Sequence, residues 1–415
     1  MSSTTKGSAL RAAATKGHAE RVRALLAQGV DPNASDARGN TALKLAVANG
    51  HADAVGALLG GGARAATEAR DGRLSVAAEL LVAAAEARAD ALLGQLLDAL
   101  PAEQRTVTLR ARDGSGWAVL HLAACAGSAE LVRLALGAGE PADALVPGLG
   151  ATALMVAAQH GRAAAVGALL ATRPPALLGL ADARGWSALH WAAQVGDPAV
   201  VVALLEAGAP LEAIADGVGT PLMVATENAH PAVVEALLGA RADADATDTH
   251  GWSALAIAAG KGHARIVAQL LGAAADVNAA GTSSRRTALM AAAQSGHVAV
   301  AVQLLEARAD VNAVDAAQVS ALLLAAKNEH APVVRALLAA RARPDAADAA
   351  GQTALLLNAK GGDVAIAAML LEHGARADHV TSAGVSALAL AAKHGHRALI
   401  ELLIRAGTSH AVSVA

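Results

Sequence analysis

The chain has 415 residues, a formal net charge of −3 at pH 7, 54% hydrophobic residues and one cysteine. A chain of this length ordinarily makes two or three domains. The net negative charge lacks the basic footprint of a general nucleic-acid binder, and Cys125 alone excludes an intramolecular disulfide framework and fits a reducing, cytoplasmic (or nuclear) setting. Mean hydropathy is +0.41, but alanine supplies most of it, and polar residues, Gly or Pro break every apolar stretch before it could span a bilayer. No membrane insertion is therefore expected, and Met1-Ser2-Ser3-Thr4-Thr5-Lys6 carries no charged-then-apolar leader.

One unit recurs along the chain, and its clearest copy is 248–278. Asp248-Thr249-His250-Gly251 predicts a turn, with Gly251 supplying a positive φ. Ser253 predicts an N-cap, since its hydroxyl can accept a free backbone N–H of the first turn. Ala254 to Ala259 predict a short helix that Gly262 ends in the left-handed conformation. Ile266, Val267, Leu270 and Leu271 predict a second helix with one apolar face. Asp276-Val277-Asn278 leads out to the next turn. Each helix is too short to stand alone in water, so stacked copies are what can fold.

In chain order the units align on Leu10, Leu43, Leu81, Leu120, Leu154, Leu189, Leu222, Leu255, Leu289, Leu322, Leu355 and Leu388, most of them 33 residues apart. Ser or Thr stands two residues before the leucine in ten of the twelve, and Gly seven after it in nine, the departures being Arg88, Ala229 and Glu329. Repeats one and two are regular. Repeats three and four (about 66–146) are irregular: Arg70-Asp71-Gly72-Arg73-Leu74 is an odd approach, Glu79 stands at the cap position, Pro101 to Thr108 replace the short return, and Ala118 carries no cap hydroxyl. Longer helices are expected there, and the boundaries within 64–113 are the least determined. The links 137–150 and 172–181 carry extra Pro and Gly and predict looser turns. Repeats six to twelve are regular, with tails at 1–5 and 408–415 and nothing between that forms a second kind of domain.

Thr220-Pro221-Leu222, Ala188-Leu189-His190-Trp191-Ala192-Ala193, the Gly-His pairs at 262–263 and 296–297, and Ala309-Asp310-Val311-Asn312-Ala313 resemble the ankyrin repeat. The resemblance covers nearly the whole chain. It implies an all-α repeat solenoid: stacked helix-turn-helix ankyrin repeats with β-turn fingers, the concave side lined by fingers and first helices, over 6–407. An elongated monomer with nearest-neighbour energetics is expected.

Catalytic motifs are absent: there is no Gly-x-Ser-x-Gly, His-Glu-x-x-His or phosphate-binding Gly-x-x-x-x-Gly-Lys, and no Cys pair for zinc. No catalytic residue, metal site or cofactor is expected. Nine of the fifteen histidines fall at repeat positions (His121 and His190 after the leucine; His18, His51, His230, His263, His297, His330 and His396 after the helix stop), which the resemblance makes structural. His394 and His396 lack the third ligand that a metal site needs. The recurring Asp36, Asp113, Asp182, Asp248, Asp315 and Asp348 start turns, where Asp accepts local backbone bonds.

The resemblance places partner contacts beside the turn glycine and just before the helix stop. Here those positions give Trp117, Trp186, Trp252, Gln159, His160, Gln194, Asn228, Lys261, Gln294, Lys327, Lys360, Lys393 and His394, a series that turns from neutral polar to basic toward the C-terminus. Each of the three tryptophans is either an interface anchor or a ring packed on its own array, while Trp191 lies within a first helix and packs. The function implied is a non-catalytic protein-protein interaction scaffold with protein partners and no nucleic acid. An alternative is an adaptor recruiting substrates to a ubiquitin ligase or kinase, which would need a docking segment, and an enzyme would need a site concealed in repeat three. Asn278 and Asn312, each after Asp-Val, resemble finger asparagines that are hydroxylated in eukaryotic ankyrin repeats; the alternative is that they stabilise the finger.

Overall fold

The computed structural model describes residues 3–65, 74–171, 175–281 and 284–413; the approach at 70–73 lies outside them. The described chain is helix pairs joined by short turns, in two compact units, Met1–Pro210 and Leu211–Ala415. In the first unit, the first helices of successive repeats pack in series: Ser3–Thr15, Ala42–Ala48, Val76–Glu86, Val119–Ala126, Ala153–Gln159 and Ala188–Val195. In the second the series is Pro221–Glu227, Ala254–Lys261, Ala288–Ser295, Ala321–Lys327, Ala354–Gly361 and Ala387–His394. The second helices form a parallel row, as Ala264–Gly272, Val298–Glu306, Ala331–Ala339 and Val364–Glu372 do.

The alanine content now has a structural reason. Ala258, Ala259, Ala292, Ala325 and Ala359 are fully buried, and a methyl group is what lets neighbouring first helices approach at the close end of the packing range. Leucine and valine of the second helices (Val267, Leu270, Leu304, Val333, Leu337) fill the space behind them. Each core layer therefore takes side chains from two repeats, and a single pair has no complete core of its own.

Helix starts follow the hydroxyl pattern. The side-chain oxygens of Thr41, Thr152, Ser187, Ser253, Thr287, Ser320, Thr353 and Ser386 each accept the backbone N–H three residues on. Ser8 does not cap, because it lies inside Ser3–Thr15, and Thr220 makes no cap bond in front of Pro221. Repeat three is corrected more substantially. Its first helix begins a turn early and is capped by Ser75, whose hydroxyl accepts from the Ala78 N–H. Glu79 thus sits in the first turn, 2.8 Å from Lys44 Nζ of repeat two.

The left-handed stop position is obeyed even where glycine is missing. Arg88, Ala229 and Glu329 take φ of 52°, 58° and 60°. The corresponding stop after the second helix is glycine at Gly29, Gly62, Gly139, Gly208 and Gly374, but Arg241, Ala274, Arg308 and Arg341 hold φ of 70°, 64°, 69° and 66°. The backbone bonds that end each helix, such as His230 N–H to the Ala225 carbonyl and Ala309 N–H to the Leu304 carbonyl, hold this backbone on residues that would not choose it.

The irregular segments are also ordered differently from expectation. The long return of repeat three contains a helix, Ala102–Leu109, which Arg105 ties back through its Nε to the Leu100 carbonyl. The link 137–150 is pinned: Glu140, its carboxylate 3% exposed, pairs with Arg112 and lies 3.9 Å from Arg110, Val146 is buried, and Leu145 bridges Thr152. Helix Pro175–Leu178 occupies part of 172–181. At the ends, helix begins at Ser3 and the last helix, Arg397–Ser413, runs on through most of the expected tail.

Relieving the left-handed strain should stabilise the protein. Ala229→Gly and Arg308→Gly are each expected to raise urea stability by about 0.5 kcal/mol, the left-handed penalty less the extra chain entropy of glycine. An unchanged or lower midpoint would show that the strain is relieved another way.

Candidate functional site

The turn aspartates build the fingers. One carboxylate oxygen of Asp113 accepts the N–H groups of Ser115 and Trp117, both at 2.9 Å. Asp182 accepts those of Arg184 and Trp186, and Asp248 those of His250 and Trp252. Asp36, Asp315 and Asp348 repeat the arrangement. The Asn40 N–H bond holds the Asp36 carboxyl below the usual carboxylate range. The fingers of Asp113, Asp248, Asp315 and Asp348 each close on their helix by a single antiparallel bridge, as between Thr247 and Ser253. Turn-making thus engages these carboxylates.

The tryptophans occupy equivalent finger positions in different surroundings. Trp186 is 8% exposed, with its ring centroid 4.7 Å from that of Trp191 and 5.9 Å from that of His190. Trp191 in turn donates its Nε1–H to Asp182. Trp186 therefore packs on its own repeat and leaves little ring surface exposed. Trp117 and Trp252 remain partly exposed. Trp252 lines a cleft of about 420 Å³ in the second unit. Its walls are finger residues Val218, Asp248 and Arg286 and first-helix residues Glu227, Ile257, Lys261 and Gln294.

The cleft brings together Trp252, Lys261 and Gln294 of the sequence-predicted positions. Trp252 and Ile257 give it an apolar patch. Lys261 Nζ lies 3.4 Å from Glu227 across one rim, and Arg286 donates to Gln294 Oε1 at 2.7 Å and lies 3.6 Å from Asp315 across the other. Arg286 is a cleft residue that the tryptophan and helix-stop pattern did not single out for contact, whereas Glu227 stands at a helix-stop position, just before Asn228. Gln159, His160, Gln194, Asn228, Lys327, Lys360, Lys393 and His394 are all exposed at the ends of their first helices, outside this cleft. Asn228 donates back to the Val224 carbonyl at 2.9 Å, and His160 bonds the Val156 carbonyl through Nδ1.

The histidines divide by role. His121 is fully buried, accepts the Ala118 N–H at Nδ1 (3.2 Å) and donates from Nε2 to the Ala144 carbonyl of the next finger (2.9 Å). The Nδ1 bond requires the neutral ring, and burial lowers its pKa, with the nearby Arg112 charge acting the same way and the Ala144 bond opposing them. His51, His297, His330 and His396 each bond a carbonyl of the preceding repeat, as His297 Nε2 does with Gly260 at 3.1 Å. His394 and His396 stack at 6.0 Å, and among the described residues no group of three or more His, Cys, Asp or Glu could hold a metal ion.

Cys125 Sγ lies 3.6 Å from His160 Nε2, but burial pushes the thiol up against the opposing effect of Arg162, so the site does not favour a thiolate. The finger asparagines are engaged between repeats. Asn278 Oδ1 accepts the Asp310 N–H, and Asn312 Oδ1 accepts the Arg343 N–H. Asn33, Asp245 and Asp345 serve the same position elsewhere. Among the described residues no helix is long and apolar enough to cross a membrane.

A family model described as ankyrin repeats (three copies) matches residues 1–69, 80–176, 120–215, 174–248, 222–315 and 322–413. No curated protein matches the chain.

His121 sets a pH dependence. The folded pKa lies below the ordinary 6.5, so as pH falls through that value the unfolded chain takes up a proton that the folded ring refuses. Stability present above pH 6.5 should fall progressively toward the folded pKa and level off beneath it. Urea melts of His121→Gln should lose that component; a variant with the wild-type pH slope would show that His121 is not its source.

Proposed function

The chain belongs to the ankyrin-repeat family, and on that footing we propose that it is a non-catalytic scaffold binding a protein partner on its finger and first-helix face. The observation that carries the reading is the cleft around Trp252. It joins an exposed part of a tryptophan ring and the Ile257 side chain to a rim of paired charges. Partly exposed aromatic surface ringed by polar groups is the usual make-up of an interaction hot spot. The backbone beneath it is held by Asp248 and the Ser253 cap, so a partner would meet a preformed surface. In the first unit, Trp117, Gln159, His160 and Gln194 extend the proposed contact set.

Chemistry by this face finds no support in its residues. The cleft carboxylate of Asp248 is spent on the turn, Glu227 faces Lys261, and no side chain there is an activated nucleophile beside a base.

The test is differential capture. Tagged wild-type protein, Trp252→Ala and Lys261→Glu are incubated with the same cell extract, and the retained proteins are quantified by mass spectrometry. A partner of this face should be retained by the wild type and depleted on both variants. Its measured affinity should fall roughly 30-fold on Trp252→Ala, a hot-spot loss of about 2 kcal/mol, while circular-dichroism melts of Lys261→Glu stay at the wild-type midpoint. Retention unchanged on both variants would remove the cleft as the binding site.

A further inference from the structure

Five residues after the repeat leucine, repeats ten, eleven and twelve carry Lys327, Lys360 and Lys393 in succession. All three are exposed on one edge of the first-helix row. Further toward the N-terminus of the second unit the positive charges are answered: Lys261 by Glu227 at 3.4 Å, and Arg286 by Asp315 at 3.6 Å. Among the described residues no ion pair reaches Lys327, Lys360 or Lys393. Lys360 Nζ donates only to the neutral amide of Gln352, at 3.2 Å. The Glu329 side chain lies over Gly361, next to Lys360 in the chain, without an ion pair to any of the three lysines.

We infer that this row is the docking track for an extended acidic segment of a protein partner, with carboxylates spaced three residues apart. The inference rests on the scaffold reading and names the chemistry of the partner. Neighbouring first helices pack about 8–10 Å apart, and an extended chain in the polyproline-II conformation rises about 3.1 Å per residue with three residues per turn, so one repeat matches three residues of ligand and residues three apart share a face. A Glu-x-x-Glu-x-x-Glu segment thus presents one carboxylate to each lysine. Helical ligand would not keep this match, since at about 1.5 Å per residue six or seven residues separate carboxylates one repeat apart. Long, mobile ammonium groups suit such a track, because each can follow a carboxylate without a fixed fork geometry.

The probe is a fluorescein-labelled peptide of repeated Glu-Thr-Ser, read by anisotropy against the full chain. Its controls are a peptide of the same composition with the glutamates grouped at one end, and an oligouridine of similar charge. The spaced peptide should bind at low salt and weaken as salt rises. Each of Lys327→Gln, Lys360→Gln and Lys393→Gln should weaken it up to about 5-fold, the upper range for one exposed ion pair, and the triple variant by the product. Undetectable binding of the spaced peptide, equal binding of the grouped peptide, stronger binding of the oligouridine, or an unaffected triple variant would each overturn the inference. The scaffold reading is separable: a captured partner lost on Trp252→Ala but kept by the triple variant upholds the interaction face and rejects the acidic track.

Discussion

At four repeat junctions the contact that seats one repeat on the next is an imidazole laid against a glycine. At the end of a first helix the chain turns through a left-handed glycine, and the histidine that opens the second helix of the next repeat lies directly on it. Cβ atoms placed on Gly17, Gly262, Gly296 and Gly362 would meet Nδ1 of His51, His297, His330 and His396 at 2.7, 2.6, 2.7 and 2.4 Å. The same rings reach back with Nε2 to the carbonyls of Thr15, Gly260, Gln294 and Lys360, two residues before each glycine. At these four junctions glycine serves twice, for its φ and for the space above it, whereas Arg88, Ala229 and Glu329 hold the same φ at other stops. At Gly127 an arginine takes the part of the ring: Arg162 lies over the glycine and its Nε donates to the Cys125 carbonyl. The bond satisfies a helix-end carbonyl that would otherwise be orphaned, and it fixes the register of one repeat on the next.

The same logic runs along the fingers. Asn33, Asp245, Asn278, Asn312 and Asp345 each accept a backbone N–H from the following repeat, so the turn of one copy is completed by the next. The row of finger bonds, the row of helix-end bonds and the shared alanine and leucine layers couple nearest neighbours. Variation is then free to collect on the exposed ends of the first helices and on finger positions such as Trp252 and Arg286. Charges engaged in turns and charges without an ion pair are separated by position: Asp248 holds its finger, and among the described residues no ion pair reaches Lys393.

Much of this was legible in the sequence, because each regular feature is local. The Asp turns, hydroxyl caps and left-handed stops follow from residues within a few positions of one another. What was misread depends on longer range or on competing local signals. Ser75 out-competed Glu79 as a cap because the helix of repeat three gained a turn, which the leucine spacing does not reveal. Pro101-Ala102-Glu103 is a sound helix start, but the β-branched Thr106-Val107-Thr108 obscured it. Glu140 draws its partners from 28 and 30 residues away (Arg112 and Arg110), so the link at 137–150 read as loose when it is clamped. Trp186 shares its finger position with Trp117 and Trp252, yet only it has a tryptophan five residues on. Trp191 covers it, whereas Ile257 stands at that place beside Trp252 and leaves a cleft.

If imidazole-on-glycine packing is what joins one repeat to the next, it should appear as coupling between two residues 35 positions apart. A double-mutant cycle on Gly262 and His297, followed by urea unfolding, measures it directly. Gly262→Ala introduces a Cβ into the ring and should cost about 2 kcal/mol or more, and His297→Ala should lose the carbonyl bond. With the ring already removed, the added methyl meets open space and only the backbone strain remains. The double variant should therefore be more stable than the sum of the single losses by about 1 kcal/mol or more. Strict additivity would mean that the ring and the glycine do not hold the repeats together.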